Sequence, residues 1–240
     1  VIGGPPCQDF SSAGKRVESD NADLTVVFAK IIEQIRPSFF VMENVTRTQK
    51  SFSFIKAKKI FVNSGYGLTE VVLDASLCGV PQKRKRFFCI GELNGTENFL
   101  IGHLKKDIAS KPLSLRKFFG SDRLNLEHYY RHPRSYNRRA IFSVNEPSPT
   151  IRGVNRPMPS TYKFHPGDTT KNLSKVRSLT SSERSEIQTF PTDYKWEGTK
   201  TQIEQFIGNA VPPKLSEFVA VALKNYIEFG SYGQLELLVN

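Results

Sequence analysis

The first 92 residues alternate between segments with helical periodicity and short apolar segments typical of buried strands. Apolar residues recur at helical spacing from Leu24 to Ile35, and Pro37 then ends the pattern. The predicted elements are helices over 22–35 and 52–62 and strands at 1–3, 38–42, 70–74 and 86–91. Strands separated by helices of this length indicate an α/β body with a parallel or mostly parallel sheet.

The periodicity fades from about residue 95 to residue 176, where proline, serine, asparagine and arginine accumulate. A capping-box spacing from Thr180 to Glu183 then predicts a short helix, and a last helix is predicted from Leu215 to Ile227. The interpretation is three regions in chain order: an α/β catalytic part over 1–94, a smaller loop-rich domain over 95–204, and a segment over 205–240 that returns to the first part.

The net charge of +11 is concentrated in one stretch of the chain. Residues 103–177 contain 16 basic and 5 acidic residues, whereas the remainder contains 18 of each. A single-sign block beside a neutral body favours a polyanionic partner such as a nucleic acid, although a solvated basic surface is the simpler alternative.

Several classes of protein are disfavoured by composition. Three cysteines, Cys7, Cys78 and Cys89, form no C-x-x-C pair, which argues against a disulfide framework and a zinc site and favours a reducing compartment. No uninterrupted apolar run approaches the ~18 residues needed to cross a bilayer, so no membrane span is expected. The first residues have neither the charge nor the apolar core of a signal peptide, and we therefore expect a cytoplasmic protein. We also expect no metal site.

Cys7 is the first candidate for a catalytic residue. An isolated cysteine is usually a small buried hydrophobic residue. Here, however, Pro5 and Pro6 impose a rigid turn directly after a strand, at the carboxyl edge where α/β sheets bind ligands. This context favours an exposed thiol in a ligand site.

Two further candidates follow later strands. Glu43 ends the second strand, and the ends of parallel neighbours meet at one edge of a sheet, so Glu43 and Cys7 can face the same crevice. A basic run then leads into the strand at 86–91, and alternation would put Gln82, Arg84 and Arg86 on one side of it. The alternatives are a surface carboxylate and a solvated basic run.

These residues lie in six separate motifs. The motifs are Gly3-Gly4-Pro5-Pro6-Cys7-Gln8-Asp9-Phe10-Ser11, Glu43-Asn44-Val45, Ser64-Gly65-Tyr66, Gly79-Val80-Pro81-Gln82-Lys83-Arg84-Lys85-Arg86, Arg177-Ser178-Leu179-Thr180 through Glu183 to Gln188-Thr189-Phe190-Pro191, and Gly208-Asn209-Ala210-Val211-Pro212-Pro213. P-P-C-Q alone is a moderate signal and E-N-V alone is a weak one. With all six motifs in the family's order, the sequence resembles the cytosine-C5 DNA methyltransferase family over the whole chain.

The resemblance implies a reaction and roles for individual residues. Cys7 would be the thiolate that adds to C6 of a flipped-out cytosine, so that C5 can take a methyl group from S-adenosylmethionine. Glu43 is expected to hydrogen-bond N3 and the exocyclic amine, and Arg86 with Arg84 to hold the cytosine O2 and a neighbouring phosphate. The family-like contacts to the methyl donor are Pro6, Asn209 and Val211.

The resemblance also implies a fold and a DNA-binding region. The expected fold is the Rossmann-like sheet of methyltransferases dependent on S-adenosylmethionine, with a smaller loop-rich target-recognition domain that contains the basic insert. The expected partner is double-stranded DNA. The residues predicted to contact it are Gln82, Arg131, Arg134, Arg138, Arg139, Arg152 and Arg156.

Two departures from the family pattern leave alternatives open. The Phe-x-Gly-x-Gly cofactor loop that precedes P-P-C-Q in the family does not occur in this sequence, so we expect a sheet that lacks its first strands and a chain inactive alone. A missing N-terminal segment or a second chain would then carry that loop. Asp20-Asn21-Ala22-Asp23 has no arginine where many relatives have Asp-x-Arg. The alternatives are an inactive or subunit-type DNA-binding chain and an RNA cytosine-5 methyltransferase.

Overall fold

The computed structural model describes residues 1–6, 20–120, 123–135 and 137–230, with the side chains of 20–23 left out. The chain divides into two compact units. The first unit is Val1–Asp74, Lys85–Ile108 and Ala220–Asn240, and the second unit is Ala75–Arg84 and Ala109–Val219. This division differs from the predicted regions. The segment Ala75–Arg84 belongs to the second unit, and so does the part of the last predicted region that precedes residue 220.

The described elements include both predicted helices of the first 92 residues and the predicted last helix. The helices are α1 Asp20–Ile35, α2 Phe52–Asn63, α3 Ile101–Lys106, α4 Leu115–Phe119, α5 Ser181–Ile187, α6 Lys200–Asn209 and α7 Pro213–Phe229. The strands are β1 Ile2–Gly3, β2 Phe39–Asn44, β3 Tyr66–Asp74, β4 Gln82–Lys83, β5 Lys85–Leu93, β6 His128–Tyr130, β7 Ile141–Ser143, β8 Ser148–Pro149 and β9 Arg177–Ser178.

The sheet of the first unit has three strands in one direction, as predicted for a mostly parallel sheet, and one strand in the other. Its strand order is β1-β2-β5-β3. Strands β1 and β2 pair parallel, whereas β5 lies antiparallel between β2 and β3, which therefore share one direction. The ten residues of Ala75–Arg84 connect β3 to β5. A parallel crossover needs about a dozen residues or more, so a connection of this length favours an antiparallel pair.

The core of the first unit lies between this sheet and the helices α1 and α2. Aromatic rings fill it, with Phe40 and Phe61 at a centroid distance of 4.4 Å and Phe54 and Phe87 at 4.9 Å. Gly91 leaves the space for the Phe40 ring, since a Cβ at residue 91 would lie 2.0 Å from a ring carbon. The sheet is therefore fixed against the helices by packing that tolerates little change in volume.

The second unit consists of short elements around a separate core. Strands β7, β6 and β9 form one small sheet, and β4 pairs with β8 in another. Helix α5 begins with the predicted capping box of Thr180 and Glu183. A second capping box, of Thr199 and Gln202, begins α6, a helix that the periodicity did not predict. The second unit is thus loop-rich, as expected, but it has its own apolar core, to which Leu179, Ile187 and Ile207 contribute.

Helix α6 approaches the loop at Arg152 and Gly153 so closely that a side chain does not fit between them. A Cβ at Gly208 would lie 2.1 Å from the Gly153 nitrogen and 2.3 Å from the Arg152 carbonyl carbon. Because both are backbone atoms, a methyl side chain at residue 208 would fit only if the loop moved.

We therefore expect Gly208→Ala to lower the free energy of unfolding of the second unit by about 1–3 kcal/mol through overpacking. Trp196, the single tryptophan, lies in this unit, so its fluorescence during urea unfolding reports the change. Thr201→Ala, at an exposed position of the same helix, is the control. Equal unfolding midpoints for the two variants would contradict the close approach.

No helix among the described residues is long and apolar enough to cross a membrane.

Candidate active site

The turn that leads to Cys7 lies beside the end of β2. Parallel pairing sets Gly3 opposite Met42, so the next residues of both strands emerge at the same edge. The Asn44 side-chain amide donates a hydrogen bond to the Pro5 carbonyl at 3.2 Å. A Cβ at Gly4 would lie 3.5 Å from Oε2 of Glu43. The glycine-proline turn and Glu43 are therefore neighbours.

Cys7 itself lies outside the described residues, so its predicted role stays a prediction. The other two cysteines, Cys78 and Cys89, are buried. Burial, together with the nearby Glu70, raises the pKa of the Cys89 thiol well above its ordinary value. Since the thiolate is the nucleophilic form of cysteine, Cys89 is unsuited to that role.

Glu43 and Arg86 form an ion pair on one face of the sheet. Glu43 is opposite Phe88 in the β2–β5 pair, and Arg86 is two residues from Phe88 along β5, on the same face. Diagonal neighbours of this kind are within reach of long side chains. Nε of Arg86 lies 2.9 Å from Oε1 of Glu43, and 14% and 19% of the two side chains are exposed. The structure thus brings together two of the predicted catalytic residues.

Arg84 has different surroundings from those predicted. It is 1% exposed, and its guanidinium donates to the carbonyls of Ile151, Gly208 and Ala210 at 3.0 Å each. These bonds tie the segment before β5 to the end of α6, within the second unit. Such burial does not fit a direct contact with cytosine, and we assign Arg84 a positioning role instead.

Gln82 is also buried, which does not fit the predicted contact with DNA. Its side chain donates to Oε1 of Gln188 at 2.7 Å and accepts from the backbone amide of Ile151 at 2.8 Å. The alternation that suggested a common face for residues 82, 84 and 86 fails because β4 ends at Lys83 and β5 begins at Lys85.

Two of the predicted DNA-binding arginines are engaged with the backbone of the second unit. Arg131 donates to the Thr150 carbonyl at 2.7 Å, and Arg152 donates to the His132 carbonyl. Burial and the neighbouring Arg152 lower the pKa of Arg131 to about 10. Part of the positive charge in the insert therefore stabilises the fold.

The other predicted arginines are more accessible. Arg134, Arg138 and Arg156 are exposed, as expected of residues that contact DNA. Arg139 is partly buried, pairs with Glu146 at 2.6 Å and lies over the Phe142 ring at 4.3 Å from the centroid. The accessible arginines of this set are thus the three exposed ones, and their contact with DNA stays a prediction.

Sequence reasoning missed two residues that shape these surroundings. Asn44 was quoted only as part of a motif, yet its amide fixes the turn at Pro5, and its Oδ1 accepts from the Val45 amide at 2.8 Å. Gln188 is fully buried between Gln82 and the carbonyl of Ile207. A polar residue inside each motif was the available signal, but only the structure reveals its partners.

Comparison with known proteins places the chain in a family. The family model described as "C-5 cytosine-specific DNA methylase" matches residues 1–225. The Type II methyltransferase M.HindV of Haemophilus influenzae is 56% identical over 94% of this chain and 75% of its own length. The Type II methyltransferase M.HgiDI of Herpetosiphon aurantiacus is 54% identical over 99% of this chain and 77% of its own length.

Solved structures have the same fold at low sequence identity. S. pombe Dnmt2 methyltransferase aligns with a TM-score of 0.62 and 14% identity, over 93% of this chain and 77% of that one. A putative DNA modification methyltransferase from a prophage of E. coli aligns with a TM-score of 0.62 and 19% identity, over 95% and 78%.

The chain belongs to the C-5 cytosine-specific DNA methylase family. It is an enzyme that methylates cytosine in DNA with S-adenosylmethionine as the methyl donor, which supplies an electrophilic methyl group on a sulfonium. No group of three or more potential ligands among the described residues could hold a metal ion.

The described residues fit only part of a site for the methyl donor. Pro6 is exposed on the turn after β1. Asn209 is exposed at the end of α6, where its Oδ1 accepts from Gln205 at 3.2 Å, and Val211 is partly buried. An exposed amide suits a hydrogen bond to a nucleoside, and each of the three contacts stays a prediction.

The different positions of Arg84 and Arg86 predict different effects of the same substitution. Arg84 reaches its three carbonyls from two separate nitrogens, which the single nitrogen of Arg84→Lys does not reproduce, so we expect the second unit to lose about 1.5–3 kcal/mol of unfolding free energy. Arg86→Lys should leave the stability of that unit unchanged and impair methyl transfer. Urea unfolding followed by Trp196 fluorescence measures the first effect, and a methylation assay measures the second. Equal stabilities of the two variants would refute the positioning role of Arg84.

Proposed function

We propose that the protein methylates C5 of a target cytosine in double-stranded DNA through a covalent intermediate at Cys7. The ion pair of Glu43 and Arg86 beside the glycine-proline turn is the observation that supports this most directly. The turn leads within one residue to Cys7 in the sequence, and Glu43 and Arg86 both belong to the first unit.

The reaction needs a nucleophile because C5 of cytosine reacts poorly with a methyl sulfonium. The Cys7 thiolate adds to C6, and the electron pair of the C5–C6 double bond becomes available at C5. C5 then takes the methyl group as the bond between sulfur and the methyl carbon breaks, and a neutral thioether is left. A base removes the remaining proton from C5, the double bond forms again, and the thiolate leaves.

Glu43 and Arg86 hold the cytosine during these steps. The carboxyl group of Glu43 hydrogen-bonds N3 and the exocyclic amine, which requires its protonated form in part of the cycle. Arg86 offers planar N–H donors to O2 of the base. An arginine nitrogen 2.9 Å from Glu43 stabilises the carboxylate, so protonation of Glu43 must weaken this ion pair.

The second unit supplies contacts with DNA and is the proposed target-recognition domain. C5 is inaccessible in a stacked duplex, so the cytosine must turn out of the helix. The exposed Arg134, Arg138 and Arg156 are suited to bind the duplex. The relatives at 54–56% identity are Type II methyltransferases, and we propose a corresponding role in restriction-modification.

Further strands are proposed to pair with the open edge of β1. Ile2 is 84% exposed on this edge, and Val27, Ile31 and Ile35 of α1 are exposed apolar residues. No strand pairs with this edge among the described residues, and an unpaired edge favours pairing with another strand. Another segment of the polypeptide or a second chain would contribute these strands together with the cofactor loop.

Cys7→Ser should abolish covalent trapping of duplex DNA that contains 5-fluorocytosine at the target. Fluorine at C5 cannot be removed as a proton is, so the Cys7–C6 bond persists after methyl transfer. A band of lower mobility in a denaturing gel, observed with the parent enzyme and S-adenosylmethionine, is the readout. Cys89→Ser is the matched control. A trapped complex with Cys7→Ser would show that another residue is the nucleophile.

Glu43→Gln should lower the rate of methyl transfer far more than the affinity for DNA. Loss of a positioned acid typically reduces a rate by about 100- to 10,000-fold. Single-turnover transfer at saturating DNA measures the rate, and fluorescence anisotropy measures the affinity. Equal losses of rate and affinity would indicate that Glu43 serves only to maintain the fold.

A further inference from the structure

The first unit has a local concentration of positive charge next to Glu43. Residues 44–69 contain five basic and no acidic residues, although the chain outside the basic insert is neutral overall. Lys58 is paired with Glu70 at 2.6 Å. Arg47, Lys50, Lys56 and Lys59 are exposed. Neutrality of the whole body therefore conceals an uneven distribution of charge.

Two of these cations are held on one side of a short helix. Thr46–Lys50 is a 3-10 helix that begins two residues after β2 ends. Because such a helix has three residues per turn and rises about 2.0 Å per residue, Arg47 and Lys50 lie on the same side, about 6 Å apart along its axis. Thr48, between them, is buried.

The end of this helix is fixed by hydrogen bonds. The Ser51 amide and hydroxyl both donate to the Thr48 carbonyl, at 2.9 and 2.8 Å, and the Ser51 oxygen accepts from the Phe54 amide at 3.1 Å as the N-cap of α2. Neither Arg47 nor Lys50 has an ion pair with a carboxylate among the described residues. Two cations without acidic partners are thus presented by a rigid backbone.

We propose that Arg47 and Lys50 bind two backbone phosphates of the DNA strand next to the target cytosine. One strand of duplex DNA carries a phosphate about every 3.4 Å along the helix axis, so cations about 6 Å apart can reach two phosphates with their flexible side chains. The inference rests on the proposed function, since it needs DNA at Glu43. It adds a DNA contact in the first unit that is independent of the basic insert.

Phosphate contacts position a protein on DNA without reading its sequence. Loss of these two contacts should therefore weaken binding to target and unrelated duplexes alike. A contact with base edges would instead change the discrimination between the two. A solvated basic surface, the alternative explanation of the charges, predicts no change in either quantity.

The test is the salt dependence of DNA binding by the double variant Arg47→Ala and Lys50→Ala in the complete chain. Each lost phosphate contact lowers the slope of log affinity against log salt by about one, so we expect a decrease of about two. The charge-retaining variant Arg47→Lys and Lys50→Arg should keep the parental slope. Fluorescence anisotropy with a target and an unrelated duplex gives both slopes, and circular dichroism verifies folding.

Lys30→Ala is the control for a change of surface charge. Lys30 is exposed on α1. This helix leads to the beginning of β2, whereas Glu43 lies near the end of β2, at the other edge of the sheet. For Lys30→Ala, the slope of log affinity against log salt should differ from the parental slope by at most about one. This difference is smaller than the one expected of the double variant. A parental slope in the folded double variant would refute the inference, while covalent trapping at Cys7 would still support the proposed function. A parent chain without affinity for DNA would overturn both.

Discussion

Strand β5 determines the geometry of the predicted catalytic residues, because it pairs with both β2 and β3. Its register with β2 sets Glu43 and Arg86 as diagonal neighbours on one face. The parallel pair of β1 and β2 then brings the turn at Pro5 to the same edge. The interactions that hold this arrangement are backbone hydrogen bonds, so the side chains remain available for chemistry.

The sequence predicted the helices α1 and α2, the strands of the first unit and the neighbourhood of Glu43 and the turn, because apolar periodicity and strand ends are local signals. It did not predict the antiparallel direction of β5, which depends on the short connection Ala75–Arg84 and on pairing between distant segments. The burial of Arg84 was equally inaccessible, since its acceptors lie 67 to 126 residues away in the chain.

The net charge of a segment proved an incomplete guide to its function. In the insert, Arg131 and Arg152 bind backbone carbonyls, whereas Arg134, Arg138 and Arg156 are exposed. A guanidinium has five donors and can satisfy several carbonyls at once, which makes arginine effective in a loop-rich fold with few regular hydrogen bonds. A count of arginines therefore overestimates the number of contacts with DNA.

The two-residue period of β5 has a consequence for tolerance of insertions and deletions. A shift of register by one residue would exchange Arg86 for Lys85 or Phe87 on the face of Glu43, and would reverse the orientation of every side chain along the strand. Changes in length are therefore excluded between Arg86 and Leu93. The register of β5 places no such limit on loop length in the second unit, so an insertion there would leave the pairing of Glu43 with Arg86 intact.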